Sequence, residues 1–158
     1  MGRYLRYFTL LSREEIAGLE EEVVADPASR KAQQALATDV TTRVHGADAA
    51  RVAEDVSRLI FGKGDPVSLS PPALAALSRE MPFVEMQTAP TAVDALIALN
   101  LATSKSAARR LIEQGGVSVN ARRVASATDA LSDPLLGEYY LIKKGARDFG
   151  LLRIRVTA

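Results

Sequence analysis

Side chains that bind phosphate are concentrated between residues 103 and 147. Lysine and arginine neutralise phosphate, and the planar guanidinium of arginine can donate two hydrogen bonds to it at once. Few acidic residues interrupt this stretch. Its lysines and arginines therefore either form a group that binds a polyanion or are ordinary solvated charges. The candidate phosphate contacts are Lys105, Arg109, Arg110, Arg122, Arg123, Lys143, Lys144 and Arg147.

The triplet Ser104–Lys105–Ser106 admits two interpretations. A lysine between hydroxyl groups can serve in a loop that holds nucleotide phosphates, but such sites come with a characteristic glycine pattern, and the sequence contains neither a P-loop nor a dinucleotide-binding one. A good helix-forming run follows Ser104 directly. The pattern therefore favours Ser104 as a helix N-cap, whose hydroxyl accepts a hydrogen bond from a free backbone N–H.

The run that follows Ser104, "SKSAARRLIEQ", is predicted to be an amphipathic helix. At 100° per residue, Lys105, Arg109 and Arg110 share one arc and the opposite arc is apolar. Glu113 lies on the basic side and reduces its charge. Gly115–Gly116 is expected to end the helix, because glycine accepts the left-handed backbone conformation that follows many helix ends.

The elements around these cations predict an α+β chain in two domains. Residues 1–88 are predicted to form an all-α helical domain, and residues 89–158 a small α+β domain. In the second domain, two helices precede strands at "VSVN", "RRV", "YYLIKKG" and "LLRIRV", which runs to Val156, with a turn at Asn120–Ala121. The stretch "MPFVEMQTAPT" contains two prolines and is interpreted as the linker.

Capping residues support helices in the first domain. Ser12 and Glu15 have the spacing of a capping box, and Pro27 suits the first position of the next helix. Gly46 is expected to close that helix and Asp48 to cap the third one, which should end in "FGKG", residues 61–64.

The composition excludes several kinds of site. The sequence contains no cysteine and one histidine, His45, which excludes thiolate metal sites and paired-histidine zinc sites and makes a histidine-based triad improbable. Neither catalytic residues nor a metal site are predicted, and a structural role at a helix end is the default for His45. No apolar run approaches the roughly 20 residues of a membrane span.

The net charge of +1 hides an asymmetry between the two predicted domains. Residues 1–88 carry 10 Lys and Arg against 13 Asp and Glu, whereas residues 89–158 carry 10 against 6. Only the second domain therefore has the charge expected of a surface that meets an anion.

The motif "SKSAARRLIEQGGVSVNARRV", followed by "YYLIKKGARDF", resembles the RNA-binding module first described in ribosomal small-subunit protein four. The resemblance covers about residues 91–158 and implies two short helices packed on a small, bent sheet. That family usually has glycine after the asparagine, where this sequence has Ala121. Asn120 is a candidate RNA contact, although a turn-forming asparagine explains it at least as well.

The first domain extends the resemblance. "RYLRYFTLLSREEI", "DPASRKAQQALATDVTTRVHG" and "AARVAEDVSRLIFGKGD" are similar to the helical, anticodon-binding region of bacterial tyrosyl-tRNA synthetases. In that family the RNA-binding module follows this region, so the two resemblances together cover nearly the whole chain.

The resemblance implies that tRNA is the partner, bound at the anticodon stem and the long variable arm. It implies a cytoplasmic parent enzyme, a homodimer, that joins tyrosine to its tRNA with ATP and magnesium. The ATP site would lie upstream of Met1, so this chain is expected to be non-catalytic, to need no cofactor and to avoid membranes. Because the missing domain mostly holds the family's dimer together, the solitary chain can be monomeric.

Two alternatives stay open at this point. The module can belong to another RNA-modifying protein, or the basic face can meet an acidic protein. Other side chains have mainly structural interpretations, and Arg153 and Arg155 fit an exposed strand face. Tyr4, Tyr7 and Phe8 could stack on bases, but their helical spacing favours packing. In the parent they would face neighbouring protein, so this chain is expected to expose an apolar patch there.

Overall fold

The computed structural model describes residues 1–61 and 64–155. Helices and one sheet confirm the α+β class. The chain divides into two compact units, Met1–Glu54 and Asp55–Ala158, and the predicted domain boundary near residue 88 stays a prediction. Val156, the last residue of the predicted final strand, and residues 62 and 63 of the predicted helix stop lie outside the described residues.

The first unit is built from helices around a small apolar core. Its elements are α1 (Gly2–Phe8), α2 (Arg13–Ala25), a short 3-10 turn (Pro27–Ser29), α3 (Lys31–His45) and the first part of α4 (Ala47–Ile60). Leu5, Ile16 and Ala32 form the buried centre, and Leu11, Leu19, Val23 and Leu36 pack against it.

Local capping chemistry explains where α2 begins. The Ser12 N–H donates to Glu15 Oε2 at 2.7 Å and the Glu15 N–H donates to Ser12 Oγ at 3.2 Å, which confirms the capping box. The backbone N–H and then the hydroxyl of Ser12 lower the pKa of Glu15, because both stabilise its charged form.

Two other helix starts differ from the prediction. Pro27 opens the 3-10 turn rather than α3, because Arg30 adopts a left-handed conformation at φ 54° and separates the two. Asp48 lies in the first turn of α4, after its first residue Ala47, and is therefore not its cap. Gly46 ends α3 as predicted.

The aromatic side chains of α1 form an exposed apolar patch, as expected for residues that would pack against neighbouring protein in a longer parent. Tyr4, Tyr7 and Phe8 are 57%, 74% and 57% exposed, and only Leu5 of this helix's large apolar side chains is buried. Tyr4 and Phe8 stack on each other at 6.3 Å between ring centroids. The helix buries a single stripe, and its aromatic side chains lie outside that stripe.

The second unit contains a five-stranded sheet. After α5 (Pro71–Glu80) come β1 (Phe83–Met86), α6 (Ala92–Ala98), α7 (Lys105–Glu113), β2 (Val117–Val119), β3 (Arg122–Arg123), β4 (Tyr139–Lys144) and β5 (Asp148–Ile154). The strand order is β1-β5-β4-β2-β3, with β1 parallel to β5 and the other neighbours antiparallel. The linker interpretation is thus wrong for residues 83–86, which pair with β5.

One face of this sheet packs against α6 and α7. Alternate strand residues supply the sheet side of the core, as the two-residue period of a strand requires. Gly150 lets α6 approach closely, since a Cβ there would lie 2.9 Å from Leu99 Cδ1. The helices contribute Ala95, Leu96, Leu99, Ala108 and Ile112, and the strands Val117, Val119, Tyr140, Ile142, Leu152 and Ile154.

The turn between β2 and β3 has two left-handed residues. Asn120 and Ala121 have φ values of 49° and 66°, and Val119 pairs with Arg122 on either side of them. Two positive φ angles in a two-residue hairpin define the type I′ geometry, which glycine accepts without strain. An alanine Cβ in this conformation is destabilising by about 1 kcal/mol.

Replacing Ala121 with glycine is expected to raise the free energy of unfolding of the second unit by roughly 0.5–1 kcal/mol. Relief of the left-handed strain exceeds the added freedom of the unfolded chain. Urea denaturation followed by circular dichroism measures the change. Ala125→Gly is the matched control: Ala125 has no positive φ, so this substitution should lower stability. Equal effects at the two positions would contradict the strain argument.

Candidate nucleic-acid interface

Helix α7 presents three of the predicted cations to solvent. Ser104 is its N-cap, as predicted: its hydroxyl accepts a hydrogen bond from the Ala107 N–H at 3.1 Å. The buried side of the helix faces the core, whereas Lys105, Arg109 and Arg110 are exposed. The helical period and one capping hydroxyl are thus sufficient to fix the direction of this basic face.

Lys105 does not present a free charge. Its Nζ lies 3.3 Å from Asp94 Oδ1 at the start of α6. The hydroxyl of Thr91, which caps α6, lowers the pKa of Asp94 most, and Lys105 lowers it further. Because Asp94 stays ionised, it compensates the charge of Lys105.

The two arginines after the hairpin turn are held differently. Arg122 Nη1 lies 3.2 Å from Asp133 Oδ2, and both side chains are largely exposed. Arg123 donates to two backbone carbonyls at the end of α7, Gly115 O at 3.1 Å and Gln114 O at 3.4 Å. The φ of Gly115 is 67°, which favours glycine, and a Cβ there would displace the flexible end of Arg123, whose Nη2 would lie 1.6 Å away.

The β4–β5 hairpin supplies the remaining cations. Lys144 Nζ donates to Leu101 O at 3.0 Å and lies 3.2 Å from Asp148 Oδ2. Lys143 projects from the opposite face of the strand, with Nζ 5.2 Å from the centroid of the Phe149 ring. Arg147 lies exposed in the turn between the two strands.

Three arginines therefore carry uncompensated charge. Arg109, Arg110 and Arg147 have neither an ion pair nor a side-chain hydrogen bond with any residue among 1–61 and 64–155. Sheet register also brings Lys143 and Arg123 to one face, because Ser118 pairs with both. Two strand spacings separate them, about 10 Å. One continuous surface of all eight cations stays a prediction.

Asn120 has a structural task in this fold. Its side chain is 8% exposed, its Oδ1 accepts from the Leu141 N–H at 2.9 Å, and its Nδ2 donates to Asp133 O at 2.9 Å. The amide thus joins the hairpin turn to β4 and to the loop that contains Asp133. Contact with RNA stays a prediction for this residue, and these hydrogen bonds favour the turn-forming interpretation.

Residues 124–136 form a loop to which the sequence analysis gave no role. The backbone of Leu131 anchors the loop through two hydrogen bonds. The Leu131 N–H donates to Pro90 O at 2.9 Å, and Tyr140 Oη donates to Leu131 O at 3.0 Å. A cavity of about 720 Å³ opens between it and the hairpin turn, and Arg122 and Arg123 are among its lining residues. No local sequence period marks such a loop, since its position depends on distant partners.

The arginines at the end of β5 are paired, not free. Arg153 Nε lies 2.9 Å from Glu138 Oε2, and this hydrogen bond raises the pKa of the guanidinium. Glu85 of β1 lies 3.6 Å from Arg153 and 3.0 Å from Arg155. These ion pairs connect β1, the start of β4 and the end of β5. Arg153 and Arg155 are not among the predicted phosphate contacts, and their structural role is consistent with that.

The described residues contain neither a cluster of metal ligands nor a helix that could span a membrane. Among residues 1–61 and 64–155, no group of three or more His, Cys, Asp or Glu side chains is placed to hold a metal ion. None of the helices in the same ranges has the length and apolarity to cross a membrane.

Replacing Asn120 with alanine is expected to lower the free energy of unfolding by about 1–3 kcal/mol, because the buried Leu141 N–H loses its side-chain acceptor. Asn100→Ala is the control: Asn100 also has a positive φ, 55°, but is exposed and makes no side-chain hydrogen bond within the described part of the chain. Urea denaturation of both variants separates the two effects. If both substitutions lowered the free energy of unfolding equally, the loss at Asn120 would come from its left-handed backbone and not from its side-chain hydrogen bonds.

The sequence is similar to tyrosine–tRNA ligases along nearly its whole length. A family model described as "Tyrosine–tRNA ligase SYY-like C-terminal domain" matches residues 73–152. A tyrosine–tRNA ligase of Thermobifida fusca (strain YX) is 40% identical over 159 residues, covering 97% of this chain. Those of Mycobacterium sp. (strain KMS) and Corynebacterium jeikeium (strain K411) are 42% and 38% identical over 96% and 98% of it.

The chain spans only 37% of the length of each of these three curated relatives. The similarity therefore concerns one part of the relatives, and it includes both units of the present structure.

Proposed function

This chain belongs to the family of tyrosine–tRNA ligase C-terminal domains, and from that membership we propose that it binds tRNA. One observation carries the proposal within the structure: Arg109, Arg110 and Arg147 are exposed and have no acidic partner in the described residues. They extend from a capped helix and a tight hairpin, so the backbone that carries them is held in place by the fold. Both the exposed cations and the family membership favour an anionic RNA as the partner.

We propose further that residues 89–158 adopt the RNA-binding fold of the ribosomal-protein-four type. Two features support it: α6 and α7 pack together on one face of a small sheet, and a basic hairpin follows α7. The helical residues 1–88 would then be the anticodon-binding region. In this arrangement the basic module contacts the anticodon stem and the long variable arm of tyrosine tRNA.

Recognition in this proposal is mainly electrostatic. Cations that meet the RNA backbone release condensed counterions, and an RNA duplex is recognised largely through its shape and backbone. Lys105, Arg122 and Lys144 would exchange their carboxylate partners for phosphates. That exchange costs little, because exposed ion pairs contribute about 0–1 kcal/mol.

The activity of the complete enzyme is a proposal that extends beyond this chain. The relatives are named ligases, and we propose a parent that joins tyrosine to its tRNA at the expense of ATP. ATP and magnesium would bind outside the present chain, in a cytoplasmic enzyme that acts as a homodimer. The chain itself contributes tRNA binding and no catalytic residue.

The proposal predicts steeply salt-dependent binding. Titrating tyrosine tRNA with the chain at several salt concentrations should show the logarithm of affinity falling linearly with the logarithm of salt. The double substitution Arg109→Gln and Arg110→Gln should weaken binding and reduce that slope by about 2, roughly one unit for each lost phosphate contact. Filter binding measures both quantities.

Arg79→Gln is the matched control, because Arg79 is an exposed arginine of α5 outside the candidate set. It should leave the slope unchanged. Affinity that does not depend on salt, or an equal effect of Arg79→Gln, would contradict the proposed interface.

Removing an acid near the interface should have the opposite effect. Asp94→Asn eliminates the carboxylate that pairs with Lys105, so the surface gains one uncompensated positive charge. Affinity for tyrosine tRNA is expected to rise about two- to threefold at low salt and to approach wild type at high salt, where charges are screened. Glu80→Gln, at the exposed end of α5, is the control and should change affinity little. Weaker binding by Asp94→Asn would count against Lys105 as a phosphate contact.

A further inference from the structure

We propose that the cavity between the β2–β3 turn and the loop 124–136 receives one unstacked nucleotide of the bound RNA. The inference rests on the proposed RNA binding and adds a site to it. The cavity lies within the second unit and has a volume of about 720 Å³, within the range of pockets that hold small ligands.

The walls of the cavity suit a nucleobase. They are formed largely by apolar side chains, including Val124, Ala125, Pro134 and Leu135. Leu136 also lines the cavity and keeps 56% of its surface exposed. A base buried against such walls removes apolar surface from water, which favours its insertion although none of the lining side chains in the described part of the chain is aromatic.

The rim of the cavity supplies the charge that the rest of a nucleotide requires. Arg122 and Arg123 line it on the hairpin side, so the phosphate of an inserted nucleotide would lie there. Arg122 at present pairs with Asp133 at 3.2 Å, with 79% and 73% of the two side chains exposed. A phosphate can take the place of that carboxylate. Asp129, also in the lining, offers an acceptor for the N–H groups of a base.

Hydrogen bonds within the second unit hold the loop beside the cavity. Asn120 fixes Asp133 O, and the Leu135 N–H donates to Tyr139 O at 2.7 Å. Asp133 and Leu136 themselves have positive φ angles of 55° and 49°. Non-glycine residues in this conformation are uncommon and cluster at ligand sites, where the surrounding structure maintains them. The cavity is thus preformed, which reduces the ordering cost of binding.

Two hairpin RNAs test the inference: one with a fully paired stem, and the same hairpin with a single unpaired adenosine in the stem. The wild-type chain should bind the second about tenfold more tightly, because only that RNA offers a base at low unstacking cost. Filter binding at one fixed salt concentration measures both affinities.

Two substitutions locate the preference. Ala125→Trp fills the cavity from an exposed position. Leu136→Gly removes the exposed apolar side chain from the edge of the cavity, and glycine accepts the positive φ of position 136. Each should reduce the preference to about twofold or less and leave affinity for the paired hairpin within about twofold of wild type. Ala75→Trp, on the exposed side of α5, should keep the full preference.

The outcomes separate the two proposals. Equal wild-type binding of both hairpins would overturn the nucleotide site and leave the RNA-binding function standing. A preference that survives both Ala125→Trp and Leu136→Gly would likewise overturn the site. Binding of neither hairpin, nor of tyrosine tRNA, would overturn the function and the site together.

Discussion

The side-chain amide of Asn120 joins three parts of the second unit. Its Oδ1 fixes β4 at Leu141, its Nδ2 fixes the long loop at Asp133, and its own left-handed backbone begins the hairpin turn. Water competes little for these hydrogen bonds, because the residue is buried. This one side chain thus joins the turn that precedes Arg122 to the loop that lines the cavity.

Most of the candidate cations that have partners are paired with carboxylates or backbone carbonyls of the same unit. Lys105, Arg122 and Lys144 each hold an exposed carboxylate, while Arg123 holds the carbonyls at the end of α7. Such pairs are weak in water but keep long side chains in place. These four side chains are therefore held in place without RNA, and a phosphate backbone that approaches would exchange partners with them, whereas Arg109, Arg110 and Arg147 have no partner to exchange in the described residues.

Sequence alone predicted those features that local chemistry determines. Ser12 and Ser104 cap helices because a hydroxyl three residues before a free backbone N–H can accept its hydrogen bond. The alternation of Leu152 and Ile154 with Arg153 and Arg155 is typical of a strand. Strand β1 was missed because its parallel partner lies at the other end of the chain. The pairing of Lys105 with Asp94 was missed for the same reason, since distance in sequence conceals proximity in space.

The distribution of tyrosines has a practical consequence for spectroscopy. The chain has four tyrosines and no tryptophan, so its near-ultraviolet emission arises from tyrosine alone. Tyr4 and Tyr7 lie exposed in the first unit, whereas Tyr140 is buried and Tyr139 lies beneath Arg153 in the second. The solvent surroundings of the first pair change little on unfolding. Intrinsic tyrosine emission therefore reports mainly on the melting of the sheet.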